Sequence, residues 1–189
     1  MIDIFSVLGH RLAAFGKTPD TVEVVRRAAV ENPWFLPQEI IRAVKAIRCE
    51  MLERQRLEAW AGAYPPVRTP KRVLVVMAGN IPLVGFFDLL CVLASGHACR
   101  VKPSNKDTVL IGYVVDLLRT IDPAIPLRMA EQGERLDAVI ATGSDNANRY
   151  FRMLFGGIPS LLRGSRQSVA VLSGRETAAE LSGLEEDIF

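Results

Sequence analysis

The sequence predicts an α/β fold: an open, mostly parallel sheet flanked by helices and preceded by a helical layer. Three observations carry this. Val73-Leu74-Val75-Val76-Met77 is an unbroken β-branched and aliphatic run, too short for a helix and apolar on both faces, as in strands buried within parallel sheets. Ala78-Gly79-Asn80-Ile81-Pro82 breaks that run, and Leu83 to Ser95 then follows a strongly apolar helical pattern with Phe86, Phe87, Leu89, Leu90 and Leu93. Gly96 supplies a stop, and Ala98 to Lys102 reads as a second strand ending at Pro103. Together these make a βαβ unit. Its right-handed crossover brings both strand ends to one edge, where open α/β sheets bind ligands.

The flanking segments follow from their own patterns. Residues 1–70 read as a helical layer and 71–189 as the α/β domain. Ile4, Val7, Leu8 and Leu12 fall at helical intervals, and Thr18-Pro19-Asp20 starts a helix with Thr18 as N-cap. That helix carries Val22, Val25, Ala29 and Val30 as far as Asn32-Pro33. Pro37 opens a longer one whose Ile40, Val44, Ile47 and Met51 form a stripe, which suits packing on the sheet domain better than a membrane or partner surface. Tyr64-Pro65-Pro66 through Pro70 is a stiff connection. After the βαβ unit, Ser104 or Asp107 can cap a helix that runs from Val109 through Leu118 to Asp122-Pro123. Leu127 to Ala130 and Ala138 to Ala141 read as strands, with Ala147 to Phe155 helical between the second of them and Gly156-Gly157. Beyond the basic hinge Arg163-Gly164-Ser165-Arg166, Ser168 to Leu172 reads as a further strand and Thr177 to Phe189 as an acidic helix.

Composition narrows the function. The chain has 189 residues, 49% of them hydrophobic, and a formal net charge of +2. That is enough to build a real core and too little charge for a nucleic-acid partner. No apolar run approaches the roughly 18 residues that span a bilayer, and the N-terminus lacks a signal-peptide layout. Cys49, Cys91 and Cys99 are odd in number and lack metal-like spacing, which points to reduced thiols in the cytoplasm. His10 and His97 have no second ligand at metal spacing, so no metal is expected. Cys91 and Cys99 sit in apolar segments and read as core rather than as nucleophiles.

Three polar groups stand at predicted strand ends. Asn80 follows the first strand and Lys102 closes the second. Read alone, these are a turn residue and a solvated terminus; as a pair on one edge, they suit an oxyanion and a phosphate or ribose. Thr142-Gly143-Ser144 opens a helix, where unpaired N–H groups and the helix dipole favour an anion, though the same residues make an ordinary N-cap. The glycine pattern is neither a Walker A nor a Gly-x-Gly-x-x-Gly fingerprint.

These residues resemble motifs of the aldehyde dehydrogenase superfamily, and within it the acyl-CoA reductase (LuxC-like) branch. Asn80-Ile81-Pro82-Leu83 resembles that superfamily's Asn-Phe-Pro-Leu turn, whose asparagine helps form the oxyanion hole. Val101-Lys102-Pro103-Ser104-Asn105 resembles its Val-Lys-Pro-Ser-Glu segment, which holds the adenosine ribose, and Thr142-Gly143-Ser144 its pyrophosphate-contacting helix start. Gly79 to Lys102, Ser165 to Phe189 and Asn32-Pro33-Trp34-Phe35 are similar to the reductase branch in particular. The resemblance implies a Rossmann-like sheet of aldehyde-dehydrogenase type. It implies Asn80 as a catalytic oxyanion donor, and Lys102, Ser104, Asn105, Thr142, Gly143 and Ser144 as cofactor-binding residues.

Departures from the family sharpen the expectation. Leu162 stands where the hydrolytic enzymes carry a Glu that activates water, and leucine takes no proton. This favours reduction of an acyl-CoA or acyl thioester over hydrolytic oxidation of a free aldehyde. Asn105 replaces the Glu that accepts both ribose hydroxyls, and Lys106 lies beside it. NADP(H) is therefore the expected cofactor and NAD(H) the alternative. The nucleophilic cysteine of the family matches no residue here and is expected beyond Phe189, so the chain reads as the cofactor-binding part of a longer, cytoplasmic, NADP(H)-dependent acyl-CoA reductase. By itself it is expected to be inactive. Two further readings stand beside this one: a non-catalytic nucleotide- or partner-binding module, and a dehydrogenase of free aldehydes. A homo-oligomer of the full-length protein fits all three.

Overall fold

The computed structural model describes residues 1–65, 67–165 and 168–188; Pro66 of the connection, Arg166 of the basic hinge and Phe189 of the last helix lie outside the described residues. The N-terminal layer comprises α1 (Ile2–Arg11), a 3-10 turn over Leu12–Ala14, α2 (Pro19–Glu31), α3 (Pro37–Met51) and α4 (Arg54–Gly62). α2 starts as its sequence predicts, with Thr18 as N-cap, Pro19 in the first turn and a reciprocal box in which the Thr18 amide donates to Thr21 Oγ1 at 3.2 Å. In α3 the stripe holds: Ile40, Val44 and Ile47 are buried. Two other helices turn differently. α1 buries Phe5 and Leu8 while Val7 faces out, and α2 buries Thr21, Val25 and Ala28 while Val22 and Val30 are exposed. Only residues three or four apart share a helix face, and the apolar residues of each helix span more than one face.

The sheet contains β1 (Arg72–Val76), β2 (Ala98–Lys102), β3 (Leu127–Met129), β4 (Ala138–Thr142) and β5 (Ser160–Arg163), in the order β3-β2-β1-β4-β5 and parallel at every pairing. Four helices follow its strands: α5 (Phe86–Ala94), α6 (Thr108–Ile121), α7 (Asp145–Phe155) and α8 (Ala178–Ile188). β1 lies in the middle, with Val76 opposite Lys102 on one side and Ala141 on the other. The carboxyl ends of β2, β1 and β4 are therefore level.

Alternation along β1 divides the core. Val73 and Val75 face a large cluster that takes in Phe5, Phe35 and Ile40 of the helical layer together with Phe86, Leu89, Val101 and Leu118. Leu74 and Val76 face a smaller one with Val139 and Ala141, covered by Phe151, Phe155 and Leu162.

Two expectations are corrected. The first crossover helix begins at Phe86 rather than Leu83, because Leu83 takes a left-handed conformation (φ 58°), unique among the described non-glycine residues. Within this helix Phe87 is 47% exposed. Ser168 to Leu172 is not a strand: the place beside β4 is taken by β5, and Val169 and Val171 are 88% and 90% exposed. β-branched composition alone makes no strand without a neighbour to complete its ladder.

Candidate functional site

Three turns meet at the level edge of the sheet and frame a cleft of about 1150 Å³. The first, Gly79 to Leu83, leaves β1. Its Gly79 carbonyl accepts from Asn32 Nδ2 at 3.1 Å, and Asn32 Oδ1 accepts from the Trp34 amide at 3.1 Å. At its other end the Leu83 amide donates to Asp107 Oδ2 at 2.8 Å. Between these anchors Asn80 is exposed and lines the cleft.

The second turn leaves β2. Its Ser104 Oγ accepts from the Lys106 amide at 3.2 Å, and Ser104 packs against Gly79 so closely that a Cβ there would lie 2.5 Å from Oγ and 2.6 Å from Cβ. Gly79→Ala is therefore expected to push the two turns apart. We expect a loss of about 2 kcal/mol, the usual scale of overpacking, read as a lower urea midpoint in chemical unfolding. Ser104 and Lys106 line the cleft, whereas Lys102 and Asn105 are exposed outside its lining. The Lys106 ammonium lies 5.7 Å from the Trp34 ring centre, within cation–π range.

The helix after this turn is not capped as its sequence suggests. Asp107 occupies the cap position, but its side chain is spent on Leu83, and Ser104 bonds within the turn. The carboxylate of Glu31, at the end of α2, replaces them. Its Oε2 accepts from the Thr108 and Val109 amides at 2.9 and 3.1 Å, and Oε1 accepts from the Thr108 hydroxyl. Asp107 itself is 1% exposed, with no partner among the described residues for Oδ1. Burial pushes its carboxyl up to about 7, opposed by the Leu83 hydrogen bond and reinforced by the charge of Glu31.

The third turn, Thr142-Gly143-Ser144, leaves β4 and lines the cleft. Ser144 caps α7 by accepting from the Ala147 amide at 3.3 Å, and the Gly143 amide donates to the Arg163 carbonyl at 3.1 Å. Asp145 and Asn146, in the first turn of α7, have amides beyond the reach of any intrahelical acceptor, which is the arrangement that binds an anion. Of the residues singled out from sequence, Asn80, Ser104, Thr142, Gly143 and Ser144 thus share one cleft, and Lys102 stands at the same sheet edge without lining it.

Sequence reasoning missed an ion pair at the far side of the cleft. Asp88 of α5 is buried, and Arg163 Nη1 at the end of β5 donates to both its carboxylate oxygens at 2.7 and 2.6 Å. Seventy-five positions of separation hide the pair from any local pattern. Leu162 points the other way, into the smaller core cluster. Cys91 and Cys99 are poor nucleophiles: burial pushes the thiol of Cys91 up to about 11 and that of Cys99 up to about 12. Among the described residues no helix is long and apolar enough to cross a membrane, and no three His, Cys, Asp or Glu residues gather at metal-binding distance.

No family model matches this chain, and no curated protein does. Solved structures do. Betaine aldehyde dehydrogenase from Staphylococcus aureus, a double mutant in complex with NAD+ and with a BME-modified cysteine, aligns at a TM-score of 0.61 and 12% identity. The match covers 87% of this chain and 37% of that one, so the chain spans well under half of that enzyme's length. The shared architecture is the Rossmann-like sheet of aldehyde-dehydrogenase type.

Proposed function

We propose that the chain is the cofactor-binding part of a cytoplasmic, NADP(H)-dependent acyl-CoA reductase. The observation that carries this reading is the convergence of Asn80, Ser104 and Thr142-Gly143-Ser144 on one cleft at the carboxyl edge of a parallel sheet. The residues fit a dinucleotide. The start of α7 offers first-turn amides to the pyrophosphate, Gly79 lets the Ser104 turn pack directly against the Asn80 turn, and Lys106 brings a cation to the ribose turn. From Lys102 to Lys106 that turn has no carboxylate to repel a 2′-phosphate, and Asp107, which ends it, is buried with its side chain on Leu83; this supports NADP(H). When bound, the cofactor supplies the hydride that reduces the acyl group.

The remaining work falls to the protein. In the whole enzyme a cysteine thiolate outside this chain would attack the acyl-CoA carbonyl and expel CoA as its thiolate, leaving the acyl group on the cysteine. The oxygen that gains charge would meet the Asn80 amide, a donor of a kind worth about 3 kcal/mol in other active sites. No group on β5 activates water. Leu162 has no proton chemistry, and Arg163 is engaged with both carboxylate oxygens of Asp88. That favours passing the acyl group to or from a thiol over hydrolysis.

The direct test is titration of the chain with NADPH and with NADH by protein fluorescence. NADPH is expected to bind at least tenfold more tightly than NADH, and Ser144→Pro, which removes the hydroxyl that caps α7, to weaken NADPH binding. Tighter binding of NADH would overturn the NADP(H) assignment, and binding of neither would overturn the cofactor site. A free-aldehyde dehydrogenase, which the structural match brings to mind, is distinguished by assaying the full-length protein: aldehyde oxidation to acid without a thiol acceptor would favour it.

A further inference from the structure

Asn80 is exposed, yet the turn beneath it is held from both ends by buried groups on other parts of the chain. Asn32 fixes the entry through the Gly79 carbonyl; Asp107 fixes the exit through the Leu83 amide. The exit matters more for aim, because Leu83 is the left-handed corner at which the chain swings from Asn80 into α5. An L-residue holds that conformation only where its surroundings impose it.

Asp107 is placed unusually for such a task. A residue at a helix cap position ordinarily turns its carboxylate onto its own helix. Here Glu31 satisfies the α6 amides from outside, which releases Asp107 to reach across to Leu83. Asp107 also closes the ribose turn, its amide bonded to the Ser104 carbonyl at 3.0 Å, so one residue belongs to both turns.

We propose that Asp107 is the positioning residue that couples the nucleotide turn, Lys102 to Asp107, to Asn80, by holding the Leu83 amide. This rests on the reading of the two turns given above. Ligand contact at Ser104 or Lys106 orders the turn that ends on Asp107, and Asp107 transmits that order to Leu83 and the asparagine. The cleft then aims its oxyanion donor when the nucleotide turn is filled.

The test is NMR on the isotopically labelled chain, comparing wild type, Asp107→Asn and Asp107→Ala with and without NADPH. Exchange of the Leu83 amide, normalised to Val75 in the central strand, is expected to rise at least tenfold in the alanine variant. It should rise no more than threefold in the asparagine variant, whose side-chain carbonyl still accepts. NADPH should slow Leu83 exchange and shift the Asn80 side-chain amide in wild type and Asp107→Asn, and leave both unmoved in Asp107→Ala. Shifts at Ser104 and Lys106 without any response at Leu83 and Asn80 in wild type would overturn the coupling alone. No shift at Ser104 or Lys106 in wild type would overturn the cofactor reading and the coupling with it. If the alanine variant does not fold, the wild-type titration decides between these outcomes unaided.

Discussion

Arg163→Met is expected to lower the unfolding free energy by about 3 kcal/mol, because it strands the buried Asp88 carboxylate without its counter-charge. Both oxygens of Asp88 bond to a single guanidinium nitrogen, and α5 around it is almost wholly apolar. Arg163 keeps some contact with solvent, so the figure sits at the lower end of what breaking a buried pair costs. The double variant Asp88→Leu, Arg163→Met should recover most of the loss, since a well-packed apolar pair removes both desolvation penalties. Urea unfolding of the three proteins measures this. A loss under about 1 kcal/mol in the single variant would mean that water reaches Asp88 and serves it as well as Arg163 does.

The larger expected effect is on the pH dependence of stability. The native state holds the Asp107 proton up to about 7, against an ordinary value of 3.8 for an aspartate in the unfolded chain. Between those two values the folded protein binds more protons than the unfolded one, so this group's share of stability is complete below about pH 4. It is lost as pH rises through 7, and is flat above that. The full difference is about 4 kcal/mol. Exposed carboxylates held low by basic neighbours, such as Asp3 beside Arg54, act in the opposite direction. The measurement is therefore a comparison: wild type minus Asp107→Asn, unfolded in urea from pH 4 to pH 8. A difference that does not change across that range would show that Asp107 is hydrated or paired in the native state.

Much of this architecture is legible in the sequence because it is local. Val73 to Met77 is apolar on both faces and can lie only in a covered strand; Gly96 and Pro103 end their elements by backbone geometry. The clustering of Asn80, Ser104 and Ser144 follows, since three parallel neighbouring strands must end at one edge. What was not legible depends on distant partners. Local rules give the α6 cap to Ser104 or Asp107, but Glu31 reaches in from 77 positions away and displaces both. The left-handed Leu83 that delays α5 is held by a carboxylate 24 residues on. Ser168 to Leu172 has the composition of a strand and, among the described residues, no neighbour to pair with, a condition that composition cannot state.

Glu31 and Asn32 are consecutive, and between them they grip both sides of the cleft: one caps α6, the other pins Gly79. The floor of the cleft is thus partly furnished by the end of α2. Grafting the strands and their crossovers into a foreign scaffold would transfer the β1–β2 framework but leave one helix start bare and one loop untethered. α1 cannot be left behind either, because Phe5 and Leu8 belong to the large core cluster, so the smallest portable unit takes in the helical layer and does not start at the first strand.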